Sequence, residues 1–216
     1  MAMSRVKLGL CVTLVASALA GCQTTMGPQA TGTVIAGDTV LSAPAGYCVA
    51  GQGHPGQAEN NVILFGDCAA VTNDATHASA PHPAMLSATV GPKMTGSITK
   101  RFPMIEAFFR SAAGQAAIAR SGRSDDVDIL KSQVSGDLLL LKVRDRSLAE
   151  EFPVTAEYWR GVTSLDGHLT ALSVMALRSQ PMSDAAQLRL LKEFVGRSEA
   201  ATKAHAASAG QVKPAQ

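Results

Sequence analysis

Four cysteines carry most of the reactive chemistry in this 216-residue chain: Cys11, Cys22, Cys48 and Cys68. A thiol can be acylated, paired or metal-bound, and its neighbours decide which. Cys11 lies inside an apolar run. Cys22 follows Leu19-Ala20-Gly21, one aliphatic and two small residues. Cys48 and Cys68 remain as an even pair. In an oxidising compartment the economical reading is a disulfide, and closing that loop is worth roughly 3 kcal/mol. The alternative is two buried free thiols. Metal binding by this pair needs further nitrogen or sulfur ligands at suitable spacing, and the histidines do not supply them.

The other candidate groups point to structure before chemistry. His77 and His82 stand five apart in a Pro-rich stretch. They could share a metal, but a solvated loop accounts for both. His54 falls in a glycine-rich stretch, His168 beside a turn and His205 near the C-terminus. No metal or cofactor is expected. Arg144-Asp145-Arg146 ends an apolar strand. It is either an anion-binding patch or a strand end with local ion pairs, which contribute little energetically. Phe108, Phe109 and Trp159 belong to the core first, and a ligand cleft lined by them is the second reading. There is no Gly-x-Ser-x-Gly nucleophile elbow and no phosphate-cradling glycine loop ahead of Lys-Ser/Thr. Gly51-x-Gly53 lacks the helix that would follow such a loop.

The N-terminus gives Cys22 its context. Arg5 and Lys7 precede the twelve apolar or small residues from Leu8 to Leu19. An apolar run of roughly 7–15 residues suits a secretory signal, whereas a membrane-spanning helix needs about 20. Leu19-Ala20-Gly21-Cys22 then resembles the lipobox of bacterial lipoproteins at all four positions. The resemblance implies that the thiol of Cys22 receives a diacylglycerol and that the preceding peptide bond is cut. Residues 1–21 would be the signal peptide and Cys22 the first residue of the mature chain. Each buried CH₂ contributes roughly 0.8 kcal/mol, so one chain holds marginally and two or three hold firmly. Gln23, standing where an aspartate would retain a lipoprotein in the inner membrane, implies the periplasmic face of the outer membrane.

Cleavage removes Arg5 and Lys7 and leaves 17 Lys+Arg against 17 Asp+Glu. A near-neutral domain excludes a nucleic-acid footprint, which needs concentrated positive charge. Residues 22–37 are rich in Thr, Gly and Ala and read as a flexible tether. Residues 38–203 form one globular domain, within the usual length of one core. Residues 204–216 read as a disordered tail.

Hydrophobic periodicity supplies the elements. Extended segments are expected at Asp38–Ser42, Gly46–Ala50, Val62–Phe65 and Met85–Val90. A helix begins at Phe102-Pro103, where proline suits the first turn, and carries Ile105, Phe108, Phe109, Ala112 and Ala116 on one face as far as Gly122. Ile129–Val134 and Leu138–Val143 form a hairpin, and four consecutive leucines predict burial on both sides. Tyr158–Leu165 and His168–Leu177 flank Asp166-Gly167, a strong two-residue hairpin turn. That register sets Trp159 opposite Val174 and Gly161 opposite Leu172, with the indole over the glycine. Ser183 caps a last helix whose stripe is Leu188, Leu191, Phe194 and Val195. The fold class is α+β: a single domain, mainly antiparallel sheet, with two packed helices.

A strand followed by Pro44-Ala45-Gly46-Tyr47, and a closing hairpin then helix, loosely resemble the PsbP-like sandwich in topology. Gly46-Tyr47-Cys48-Val49, Phe65-Gly66-Asp67-Cys68, Val143-Arg144-Asp145-Arg146-Ser147 and Tyr158-Trp159-Arg160 resemble uncharacterised alphaproteobacterial envelope lipoproteins. That family brings no established activity. The expectation is a lipid-anchored binding or envelope-structural module, held to the membrane through Cys22, with an envelope protein as possible partner. The alternative is an envelope enzyme whose site is assembled by the fold.

Overall fold

Asp166-Gly167 turns the chain with φ of 47° and 80°, and the hairpin around it runs in the expected register, Trp159 opposite Val174 and Gly161 opposite Leu172. The computed structural model describes residues 31–52 and 62–211. The signal segment, Cys22, most of the tether and His54 lie outside the described residues. The described chain is α+β. It runs β1 (Thr33–Ala36), β2 (Thr39–Ser42), β3 (Tyr47–Gln52), β4 (Val62–Asp67), α1 (Cys68–Thr72), β5 (Ala84–Lys93), α2 (Phe102–Arg110), α3 (Ala112–Ile118), β6 (Val127–Ser135), β7 (Leu138–Asp145), α4 (Arg146–Glu151), β8 (Glu157–Leu165), β9 (His168–Ala176) and α5 (Asp184–Gln211). Seven strands form one antiparallel sheet in the order β3-β4-β5-β9-β8-β7-β6, and β1 pairs with β2 apart from it.

Because side chains alternate along a strand, the sheet has two distinct faces. One carries Phe65, Leu86, Val174, Trp159 and Leu140 against Leu191, Phe194 and Val195 of α5. Phe65 meets Phe194 edge to face at 5.3 Å. The other carries Leu139, Leu141, Val143, Tyr158 and Met175 against Phe102 and Ile105 of α2 and Leu148 of α4. Leu138 to Leu141 therefore serve both cores, and all four are buried.

Helix α5 also completes β2. Val40 N donates to Thr202 Oγ1 at 2.9 Å and Ser42 N to Ser198 Oγ at 3.1 Å. Thr202 returns a bond to the Val40 carbonyl at 3.0 Å, and Arg197 Nε donates to the Ala43 carbonyl at 2.9 Å. Ser198 and Thr202 sit one helical turn apart and face the strand together. Two hydroxyls thus replace the neighbouring strand that β2 lacks on that side.

Several expectations change. The stretch read as tether contains β1, whose Val34 and Ala36 pack on the α5 core; Thr33-Val34-Ile35 is β-branched and strand-prone. The tail read as disordered from residue 204 continues α5 to Gln211, because its alanines favour helix. Three short helices, α1, α3 and α4, join the two expected ones. The helix predicted from Phe102 to Gly122 breaks at Ser111, which is extended (φ −80°, ψ 157°) and caps α3 by accepting from Gly114 N. The break rephases the face, leaving Ala112 exposed and Gly114 buried. Phe108 is 48% exposed and so outside the core. The indole is not what packs closest to Gly161. The atoms nearest a Cβ there belong to Leu138, at 2.9 Å, and Leu191, at 3.5 Å.

Candidate functional site

The structure brings Cys48 and Cys68 to disulfide geometry, with sulfurs 1.98 Å and Cα atoms 4.8 Å apart. Cys48 is on β3 and Cys68 begins α1 directly after β4, so the pair ties the edge strand to its neighbour. The backbone around it is fixed independently. Cys68 N donates to the Gly46 carbonyl at 2.9 Å. Asp67 accepts from Ala70 N at 3.1 Å, capping α1, and from Ala80 N at 2.7 Å. Gly46, with φ of 84°, passes so close to Ala80 that a Cβ would stand 2.6 Å from its backbone. Tyr47 donates its hydroxyl to the His82 carbonyl. Burial, then the carboxylates of Asp67 and Glu193, push its phenol well above the usual range. These contacts together build a closely tied corner. Beside it opens a cleft of about 300 Å³ lined by Pro44, Tyr47, His82, Arg189, Leu190 and Glu193.

The Arg144-Asp145-Arg146 segment resolves into ion pairs and a hub. Arg144 meets Glu157 at 2.7 Å and Arg146 meets Asp128 at 2.8 Å. Asp145 is buried and accepts from Arg120 N, Ser147 Oγ and Leu148 N at 3.0, 2.6 and 3.1 Å, capping α4 and pinning the loop after α3. Lys142, also buried, reaches Asp184 at 2.5 Å and lies 5.7 Å from the Trp159 ring centre.

The histidines do not converge. His77 pairs locally with Asp74 at 3.4 Å and with the Thr72 hydroxyl at 3.2 Å. His168 bonds the Gly91 carbonyl through Nδ1 at 3.0 Å, and His205 lies on α5. Among the described residues no three His, Cys, Asp or Glu side chains gather as a metal site.

One cation differs from all of these. Arg160, on β8, lies on the sheet face that carries Leu141, in the row that pairs Leu141, Arg160, Ser173, Ser87 and Leu64 across β7, β8, β9, β5 and β4. Its Nη1 donates to Ser173 Oγ at 3.2 Å, its guanidinium faces the Tyr158 hydroxyl, and the Phe109 ring lies 6.0 Å away. Its Nε is shut off from solvent and has no hydrogen-bond partner. No carboxylate of the described residues pairs with it. Burial therefore pulls its pKa below the ordinary guanidinium value, offset only in part by Tyr158. Burial in turn pushes the Tyr158 phenol up to about 12, against the pull of Arg160 and with help from Asp145. An arginine stays charged in any protein environment, so this is a half-buried cation with a dry Nε and no counter-charge beside it.

Toward β4 the same face opens. Ser87, Thr89, Met85 and Leu64 are half-buried and Val62 is exposed. Among the described residues the helices on this side, α2 and α3, pack toward β6, β7 and β8, and no helix packs closely along β5. Sequence reasoning noted Tyr158-Trp159-Arg160 only as a likeness and missed Arg160 as a group with chemistry. The signal was present: a basic residue among apolar neighbours in a strand buried on both faces. Comparison with known proteins adds no assignment, since no family model and no curated protein matches the chain.

Proposed function

We propose that the chain is a lipid-anchored envelope module that binds rather than catalyses. Its signal ends at Leu19-Ala20-Gly21-Cys22, lipid on Cys22 holds it at the periplasmic face of the outer membrane, and its α+β domain stands off on a short tether. The observation that carries this reading is the Cys48–Cys68 pair at disulfide geometry. Such pairs persist in oxidising compartments and are rare in the cytosol, which agrees with an export signal. The groups with most catalytic potential also support binding, because they are committed to structure: Asp67 and Asp145 cap helices, and Arg144 and Arg146 are in ion pairs.

Fractionation of cells tests the reading. Wild-type chain is expected in the detergent-extracted membrane fraction, and Cys22→Ala in the soluble periplasmic fraction. A Cys22→Ala chain that still needs detergent for release refutes lipid anchoring. Alkylation in denaturant should label Cys48 and Cys68 only after reduction, and labelling without reductant removes the compartment argument.

A further inference from the structure

We infer that Arg160 anchors a binding site for an amphipathic organic anion, a carboxylate or phosphate head on a short apolar body. The inference deepens the reading of the domain as a binding module and does not depend on the lipid at Cys22. Three observations converge on it. First, Arg160 is a charged group with a dry, unpartnered Nε and no acidic neighbour. A guanidinium edge is a fork that matches two oxygens of a carboxylate or phosphate, and a bound anion supplies the missing counter-charge. Secondly, hydroxyls continue from it in one direction. Ser173 already accepts from Nη1, and the side chains of Ser87 and Thr89, both half-buried, follow on the same face of β5. Thirdly, this line leads out of the core onto the helix-free part of the sheet, between the Phe109 ring and the half-buried Leu64. Charge lies at the closed end and apolar surface at the open end. That polarity fits a ligand entering head first with its apolar part along β5 and β4, and ligand sites use few polar groups to fix orientation.

The ion-paired cations do not offer this. Lys142, Arg144 and Arg146 each face a carboxylate at 2.8 Å or less, so a ligand there would have to displace a partner. At Arg160 it displaces none.

The test uses the full chain in nonionic detergent, titrated with hexanoate and with hexyl phosphate, against hexan-1-ol and acetate as controls. The readouts are the dissociation constant and the ¹H–¹⁵N resonance of the Arg160 Nε–H, assigned by its loss in Arg160→Met. Saturable binding of at least one six-carbon anion is expected, with a shift of the Nε–H resonance. The preferred anion identifies the head group. Hexan-1-ol should bind at least tenfold more weakly and acetate more weakly than hexanoate. Arg160→Met should weaken anion binding at least tenfold, and Ser87→Leu, which fills the open end but leaves the guanidinium, should do the same. No saturable binding by either anion, an Nε–H resonance that does not move, or equal binding of the alcohol overturns the inference. If Arg160→Met does not fold, unchanged anion affinity in Ser87→Leu overturns it alone. A chain that binds the anion yet stays in the membrane after Cys22→Ala keeps this site and loses the lipid anchor, so the two failures are distinguishable.

Discussion

Breaking the Cys48–Cys68 bond should cost stability through the unfolded chain, and the structure allows the cost to be worked. The two cysteines are 20 residues apart in sequence. Chain-entropy loss for a closed loop of that length comes to about 3 kcal/mol at 25 °C. The native corner keeps its other ties on reduction, namely Cys68 N to the Gly46 carbonyl, Asp67 to Ala80 N, and Tyr47 to the His82 carbonyl. The folded state should therefore change little, while the denatured ensemble gains the freedom of the loop. For a domain of this size a change of 1 kcal/mol moves the melting midpoint by roughly 2–4 °C, so about 3 kcal/mol predicts a fall of roughly 6–12 °C. Thermal and guanidinium unfolding followed by circular dichroism, on the chain with and without a phosphine reductant, measures it. Cys48→Ala combined with Cys68→Ala should behave like the reduced chain. The denaturant slope should rise as well, because the open loop exposes more surface when unfolded. Coincident midpoints for oxidised and reduced chain would refute the reasoning, since the loop would then be held by other contacts even in the denatured state.

Three further outcomes follow from particular contacts. Gly161→Ala places a methyl 2.9 Å from Leu138 Cδ1 and 3.5 Å from Leu191, and it should lower stability by about 1–3 kcal/mol through overpacking; a neutral urea midpoint would contradict this. Ser198→Ala with Thr202→Val leaves the amides of Val40 and Ser42 unpaired beside α5, at about 1–3 kcal/mol each, and those two amides should exchange faster with solvent while the seven-stranded sheet stays protected. Tyr158 keeps its proton in the fold up to about pH 12, whereas an unfolded tyrosine loses it near pH 10. The raised folded value means its stabilisation is fully present below about pH 10 and is lost as pH rises toward 12. Tyr158→Phe should therefore flatten the alkaline fall in stability, and an unaltered alkaline limb would count against a buried phenol.

What the sequence made legible was local. Asp166-Gly167 fixes its hairpin because both residues accept positive φ, and the pairing of Trp159 with Val174 follows by counting. Leu138–Leu141 announced a strand buried on both faces, and Ser183 announced the start of α5, where its hydroxyl accepts from Ala186 N at 3.3 Å. Features that depend on distant partners were not legible. β1 exists because Val34 and Ala36 find the α5 core. Nothing near Val40 in sequence reveals that Thr202 completes its hydrogen bonds. Cys48 and Cys68 could be named as a pair by elimination among four thiols. Arg160 could not be named as lacking an acidic partner, because that depends on which side chains the four other strands of its row bring to the same face. The Arg144-Asp145-Arg146 triplet looked more like chemistry and is the more committed to structure.

Gly114 ties the reach of the helical cover to the open part of the sheet. The spacing of apolar residues from Phe102 onward is that of one long helix, and such a helix would carry on past Phe109. It stops at Ser111, and α3 turns back against Ser124–Asp126 and β6. The turn is tight enough that a Cβ on Gly114 would stand 1.9 Å from the Phe108 carbonyl oxygen. Any larger residue must push the two helices apart, and a backbone oxygen cannot move aside as a flexible side chain can. Gly114→Ala should therefore cost about 3 kcal/mol, the upper end of overpacking penalties, and the loss should be local at first. Amides of α2 and α3 should exchange faster than those of α5. Because Phe109 is the α2 residue that lies over Arg160, the same substitution should also shift the Arg160 Nε–H resonance without any ligand. A Gly114→Ala chain with unchanged exchange in α2 and α3 would mean that the corner can relax. The break at Ser111 would then not be what limits how far helix covers this face.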